Sequence, residues 1–218
     1  MVRLLPPQAR RPAVGLVVLC AAVIAVGAAL YHGQARAGRL DDAVDDRLFT
    51  IFGRDRAFLY QLLHVADLQV VVTVLAVVAV LAVLRARPDI AALAAIGPVA
   101  AIGLTELVLK PLVQRRYNNW LSYPSGHTVG MLSTCTVLGV ILLGASLTLA
   151  LRVALGVLLL VVCVIMVLAL IVDGFHYFTD TVAGVGLSVG VVLLAALGVD
   201  AVTGLVTRPN GGFAGSCT

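Results

Sequence analysis

Two short polar segments carry the residues that can do chemistry in an otherwise apolar chain. Tyr123-Pro124-Ser125-Gly126-His127-Thr128 is wedged between two hydrophobic stretches, and His176-Tyr177-Phe178-Thr179-Asp180 closes another apolar run. A basic stretch, Lys110-Pro111-Leu112-Val113-Gln114-Arg115-Arg116, lies just upstream of the first. Two histidines, an aspartate and a cationic cluster are the equipment for cleaving a phosphate ester without a metal. The cations hold the phosphoryl oxygens, one imidazole attacks phosphorus and the other protonates the leaving oxygen.

Each residue has a reason to be in that set. Gly126 lets the backbone approach an anion closely. Ser125 and the first free N–H groups of a following helix can donate to phosphate oxygens, because a helix N-terminus is an anion site. His127 then falls in the first turn of that helix. His176 and Asp180 are four residues apart; on a helix they share a face, and the carboxylate can fix the imidazole tautomer. Glu106 stands four before Lys110 and can pair with it. For Lys110 and Arg115 the competing reading is a pair of snorkelling membrane anchors. For Asp180 it is a helix cap. His32 and His64 have no such company and read as loop or interface residues. Glu106 and Asp173 are further site candidates, as ionisable groups near a bilayer.

The elements that must position these groups are membrane spans. The chain has 218 residues, 61% hydrophobic and 12% charged, about half the charge of a soluble domain. The expected fold is an all-α membrane protein, a single domain over 1–218. Its six transmembrane helices run at about 13–31, 68–84, 90–109, 128–147, 152–172 and 181–199, followed by a short cytoplasmic tail, 200–218. Residues 128–172 would reach about 67 Å as one helix, roughly twice the bilayer core, so a tight turn is expected near 147–152, beside Arg152. A secretory leader competes with the first span, because Gln34-Ala35-Arg36-Ala37 loosely resembles a cleavage site; the length of the run favours a retained helix. Residues 32–67 alternate Asp and Arg with Leu, Ile and Phe. They read as an amphipathic segment at the membrane surface, or as a solvated connector.

Alternation of six spans puts the 110–127 and 173–180 loops on one face. The basic N-terminus, Arg85, Arg87, Arg152 and Arg208 mark the other face as cytoplasmic. The expected location is the plasma (inner) membrane, multi-pass, with the site facing outside or the periplasm. The net charge of +4 is spread over helix ends with no nucleic-acid-reading motif, so no nucleic-acid partner is expected. Cys20, Cys135, Cys163 and Cys217 show neither metal-ligand nor disulfide spacing and read as small buried hydrophobes. No metal and no cofactor are expected. Gly186-x3-Gly190 fits packing within one bundle as well as dimerisation. Richness in Ala, Val, Gly and Arg suggests a bacterial, GC-rich genome.

The polar segments resemble the motifs of the type 2 phosphatidic acid phosphatase superfamily, the membrane lipid-phosphate phosphatases: Lys-x6-Arg-Pro, Pro-Ser-Gly-His and Ser-Arg-x5-His-x3-Asp. The resemblance covers residues 110–180 directly. It implies a catalytic set of His176 as the nucleophile forming a phosphohistidine, Asp180 as its orienting partner and His127 as the general acid. It implies Lys110, Ser125 and Gly126 as phosphate ligands. Two positions depart from the pattern: Tyr117-Asn118 stand where Arg-Pro is expected, and Leu170 stands where the third motif has Arg. Arg115 and Arg116 are the phosphate-binding cations that can compensate. The implied activity is metal-independent hydrolysis of a lipid phosphate or polyprenyl diphosphate. The alternative is a lipid-phosphate binding or transport-associated protein with weak or no turnover, which the missing arginines favour and the retained histidines oppose.

Overall fold

A computed structural model describes residues 3–206, and these are almost wholly helical. Five helices are long and apolar enough to cross a membrane, and a bent pair brings the number to as many as six. The first, α1 (Pro7–Tyr31), opens with proline at its first position, where the missing N–H costs nothing. An interfacial segment follows: α2 (Arg39–Phe52) and α3 (Arg56–Leu63), joined by a 3-10 turn and closed by another at His64–Ala66. It leads at a 43° bend into α4 (Leu68–Leu84). Next come α5 (Pro88–Gly103), a π turn (Leu104–Leu109) and α6 (Lys110–Val113), one continuous apolar path over Pro88–Val113. A hairpin of β1 (Arg116–Tyr117) and β2 (Trp120–Leu121), paired antiparallel, precedes α7 (Gly126–Gly144), α8 (Leu149–Val172) and α9 (Phe178–Val206).

The turn between α7 and α8 falls at residues 145–148. Thr148 caps α8 by accepting from Leu151 N (3.4 Å), and Arg152 reaches back to the carbonyls of Ala145 (2.8 Å) and Leu147 (3.4 Å). The basic residue thus satisfies carbonyls of the turn itself, which has no strand or helix to pair them. The last helix runs seven residues beyond 199. Arg208 and Cys217 lie outside the described residues.

The central helix is α9, which packs against α1, α5 and α7. Small residues let the backbones close in. Gly190 faces Cys20 of α1, with 3.1 Å between an added Cβ and the cysteine's, and Gly186 faces Cys20 and Ile24. The glycine pair therefore serves packing within this bundle. At the end away from the polar loops, the buried carboxylate of Asp200 accepts from Leu4 N (2.7 Å), Leu5 N (3.1 Å) and Arg10 Nη2 (2.9 Å). Leu4 and Leu5 pack with Leu93, Val137, Val140 and Val192, so α1 and the residues before it are integral to the core.

At the opposite end, Gly184 of α9 presses on the start of α7. A Cβ there would lie 2.8 Å from Thr128 Cβ and 3.1 Å from the Ser125 carbonyl oxygen. Gly184→Ala is expected to destabilise the bundle by about 1–3 kcal/mol through overpacking. Gly15→Ala, where nothing lies within 4 Å, should hold or raise the melting temperature in detergent, because alanine is the better helix former. Equal melting of the two variants would mean that α7 and α9 can part at this point.

Candidate active site

The polar loops meet because each hangs from the same end of the bundle. The π turn carries Glu106 one turn before Lys110, and their side chains pair at 2.6 Å. Gln114, in the left-handed region at φ 52°, ends the helix and turns the chain outward. The hairpin brings it back to Ser125, which caps α7 by accepting from Thr128 N (3.3 Å) and Thr128 Oγ1 (2.9 Å). Ser125 N donates to the Asp180 carbonyl (3.1 Å), which ties the head of α7 to the head of α9.

A cavity of about 510 Å³ opens at this end. Lys110, Gly126, His127 and His176 line it together with Glu106 and Asp67, and Leu68, Val71, Ile102 and Phe175 form its apolar wall. The imidazole centroids of His127 and His176 are 6.1 Å apart, close enough for both to touch one phosphoryl group. His127 is exposed to the opening, whereas His176 is buried. His176 Nδ1 has no hydrogen-bond partner among the described residues, and Asp180 Oδ2 stands 3.9 Å from it.

Five of the residues singled out from sequence do not line the cavity, and one of them, Asp173, is paired with Arg56. Ser125 is fully buried as the cap. Arg116 is exposed on β1, its N–H on the Gln34 carbonyl at 2.8 Å. Asp180 is buried behind His176. Arg115, expected to reach phosphate, has an exposure of 0%. Its Nη1 donates to Thr179 Oγ1 and Asp180 Oδ1, both at 2.6 Å, and its Nη2 pairs with Asp41 Oδ2. The guanidinium lies between the rings of Tyr31 (4.2 Å) and Tyr177 (4.6 Å). Both Nη groups are therefore committed to protein acceptors, while Nε is buried without a hydrogen-bond partner among the described residues. Where the family pattern has its other arginines, Leu170 is buried and Tyr117 packs on Tyr177 at 4.6 Å. Among the described residues no group of three His, Cys, Asp or Glu is placed to hold a metal ion.

Asp41, Thr179 and Asp67 were not singled out in the sequence. For Asp41 the one signal is the crowding of Asp41, Asp42, Asp45 and Asp46 into a chain with only 11 acidic residues. Burial works to raise the Asp41 carboxyl, but hydrogen bonds from Thr179 and Gly38 and the Arg115 charge outweigh it and hold it below the usual range. Asp45 goes the other way. Burial, then the charges of Asp41 and Asp180, push it up to about 7 despite the Phe178 N–H it accepts at 3.2 Å.

Two outcomes follow from this geometry. A Cβ on Gly126 would lie 2.8 Å from Glu106 Oε1 and 3.6 Å from Lys110 Nζ. These are the ends of flexible side chains, so Gly126→Ala should displace the cation while leaving thermal stability nearly intact; phosphate affinity, read by inhibition with inorganic phosphate, should fall. For Asp45, the proton is held more tightly in the folded chain than in the unfolded one. That contribution to stability is complete below about pH 4, fades as pH rises and is gone above about 7. Asp45→Asn should therefore melt higher than the parent at pH 8, with the gap closing toward pH 4; an unchanged gap would exclude this carboxyl as the source.

A family model described as the PAP2 superfamily matches residues 62–203. No curated protein and no solved structure matches the chain.

Proposed function

Because the chain belongs to the PAP2 superfamily, we propose that it is an integral membrane phosphatase acting on a lipid phosphate or polyprenyl diphosphate through a phosphohistidine. Family membership and the multi-helix apolar fold fit a membrane phosphatase. The observation that carries the finer reading is the facing pair of imidazoles, 6.1 Å apart on one cavity that Lys110 also lines.

The buried ring backed by a carboxylate suits the nucleophile, and the exposed ring suits the acid. His176 Nε2 attacks phosphorus while Nδ1–H faces Asp180. The P–O bond to the lipid breaks, and the leaving oxygen takes a proton from His127. Water then attacks the phosphohistidine, His127 takes its proton, the P–N bond breaks and inorganic phosphate leaves. Lys110 and the N–H groups of Gly126 and His127 meet the phosphoryl oxygens; those N–H groups belong to the first turn of α7 and have no acceptor within the helix. The apolar wall of Leu68, Val71 and Ile102 suits the first carbons of a lipid tail. Alternation of the spans and the basic residues at the other end favour a site on the outer face of a bacterial inner membrane.

One observation favours a second reading, lipid-phosphate binding with little turnover. Lys110 is the one Lys or Arg lining the cavity among the described residues, and it is paired with Glu106. Losing one electrostatic donor costs about 10²–10³ in rate. Phosphate release from phosphatidate, phosphatidylglycerophosphate and a polyprenyl diphosphate, measured in EDTA, separates the two. The phosphatase reading expects release that His176→Ala abolishes and His127→Ala lowers by about 10²–10⁴, with labelled phosphate trapped on His176. Binding of these lipids without release would establish the second reading, and release that requires added magnesium would overturn the metal-free route.

A further inference from the structure

The Arg115 cluster lies behind the cavity, and the steps above leave it without a part. Its connectivity supplies one. Asp41 Oδ1 accepts from Thr179 N (2.9 Å) and Thr179 Oγ1 (2.8 Å), while Asp41 Oδ2 meets Arg115 Nη2. Arg115 Nη1 divides its hydrogen bonding between Thr179 Oγ1 and Asp180 Oδ1. Asp41, Arg115 and Asp180 all have an exposure of 0%. The remaining carboxylate oxygen, Asp180 Oδ2, accepts from Tyr177 N at 3.4 Å and faces His176 Nδ1.

We propose that Asp41 is a positioning residue for His176, acting through Arg115 on the carboxylate of Asp180. The proposal rests on the reading of His176 as the phosphoryl acceptor. A guanidinium paired with Asp180 alone would draw that carboxylate's charge toward itself and away from the imidazole. Sharing the guanidinium with Asp41 leaves the three groups with one net negative charge, and Asp180 keeps its hold on the Nδ1 side of the ring. The two tyrosine rings and Thr179 fix the fork, so the carboxylate cannot rotate away. The arginine of this chain therefore governs the nucleophile's partner, where the sequence pattern suggested a phosphate ligand.

A cluster that only holds the fold together makes a different prediction. Buried ion pairs are weak stabilisers in themselves, and their loss would lower the melting temperature without touching the titration of His176. Other charged groups surround that ring: His127 from α7, Lys110 and Glu106 at the end of the α5 path, and Asp67 at the head of α4. The Asp173–Arg56 pair from α8 and α3 and Asp45 from α2 complete the set. All of these are retained in the Asp41 and Thr179 variants below, and Asp45 alone is removed in the control background.

The test follows the ring resonances of the four histidines by NMR on the full chain in detergent, with His176 identified through His176→Ala. Asp41→Asn is expected to move the His176 midpoint down by about 0.5–1 pH unit, because a negative charge is lost and Arg115 turns wholly to Asp180. Thr179→Val should move it the same way by less, since Nη1 then serves Asp180 alone, and it carries the test if Asp41→Asn does not fold. Thr179→Ser and Asp41→Glu should leave the midpoint in place. Repeating the series on Asp45→Asn removes that carboxyl's own titration from the window. Lower melting with a fixed midpoint in both Asp41→Asn and Thr179→Val would overturn the proposal. Phosphate release from dioctanoyl phosphatidate by the same samples should show kcat reduced and KM unchanged; a raised KM would return Arg115 to the substrate. A shifted midpoint in a chain that releases no phosphate from any lipid of the panel would retire the phosphatase reading and leave the coupling intact.

Discussion

A guanidinium with no exposure to water has to be met by carboxylates, and at the head of this bundle that requirement organises everything else. Arg115 comes from the loop after α6, Asp41 from the interfacial helix and Asp180 from the first turn of α9. Unpaired, any of the three would cost several kcal/mol in a low-dielectric setting. Together they bind three separate stretches of chain to one point. The interfacial segment is anchored there and cannot drift as a free connector. A second tie, Arg56 on the Asp173 side chain (2.9 Å) and carbonyl (3.2 Å), fastens α3 to the loop that carries His176.

Steric closeness does the rest. The start of α9 is held within van der Waals contact of the α7 cap by Gly184, and Ser125 N bonds the Asp180 carbonyl. His127, in the first turn of α7, and His176, two residues before α9, therefore stand at ends of the bundle that are held together. An active constellation needs positions held to about half an ångström, and long loops alone would not give that. The opposite end is tied independently by Asp200 and the residues before α1, so the bundle is clamped at both ends while its lipid-facing surface stays apolar.

Much of this was legible in the sequence, for identifiable reasons. The spans follow from run length against bilayer thickness, and the meeting of His127 with His176 follows from counting them: an even number of crossings separates the two loops. The pairing of Glu106 with Lys110 follows from helical spacing. What spacing cannot supply is competition. Arg115 fits phosphate by chemistry, but Asp41 and Asp180 reach it first, and Asp41 lies 74 residues away in the sequence. The four aspartates from 41 to 46 looked alike as an amphipathic stripe; one is fully buried, and another is held partly protonated near neutrality.

The two departures from the motif pattern now take on a common physical sense. Leu170 is buried, and Tyr117 lies against Tyr177, itself over Arg115. Aromatic and aliphatic groups thus fill the positions where the pattern has cations. The cavity presents Lys110, Gly126 at the head of α7 and the imidazoles of His127 and His176. The carboxylates of Glu106 and Asp67 share that space with Lys110, so among the described residues one basic side chain faces two acidic ones there, and the free N–H groups at the head of α7 matter to an anion as much as side-chain charge does.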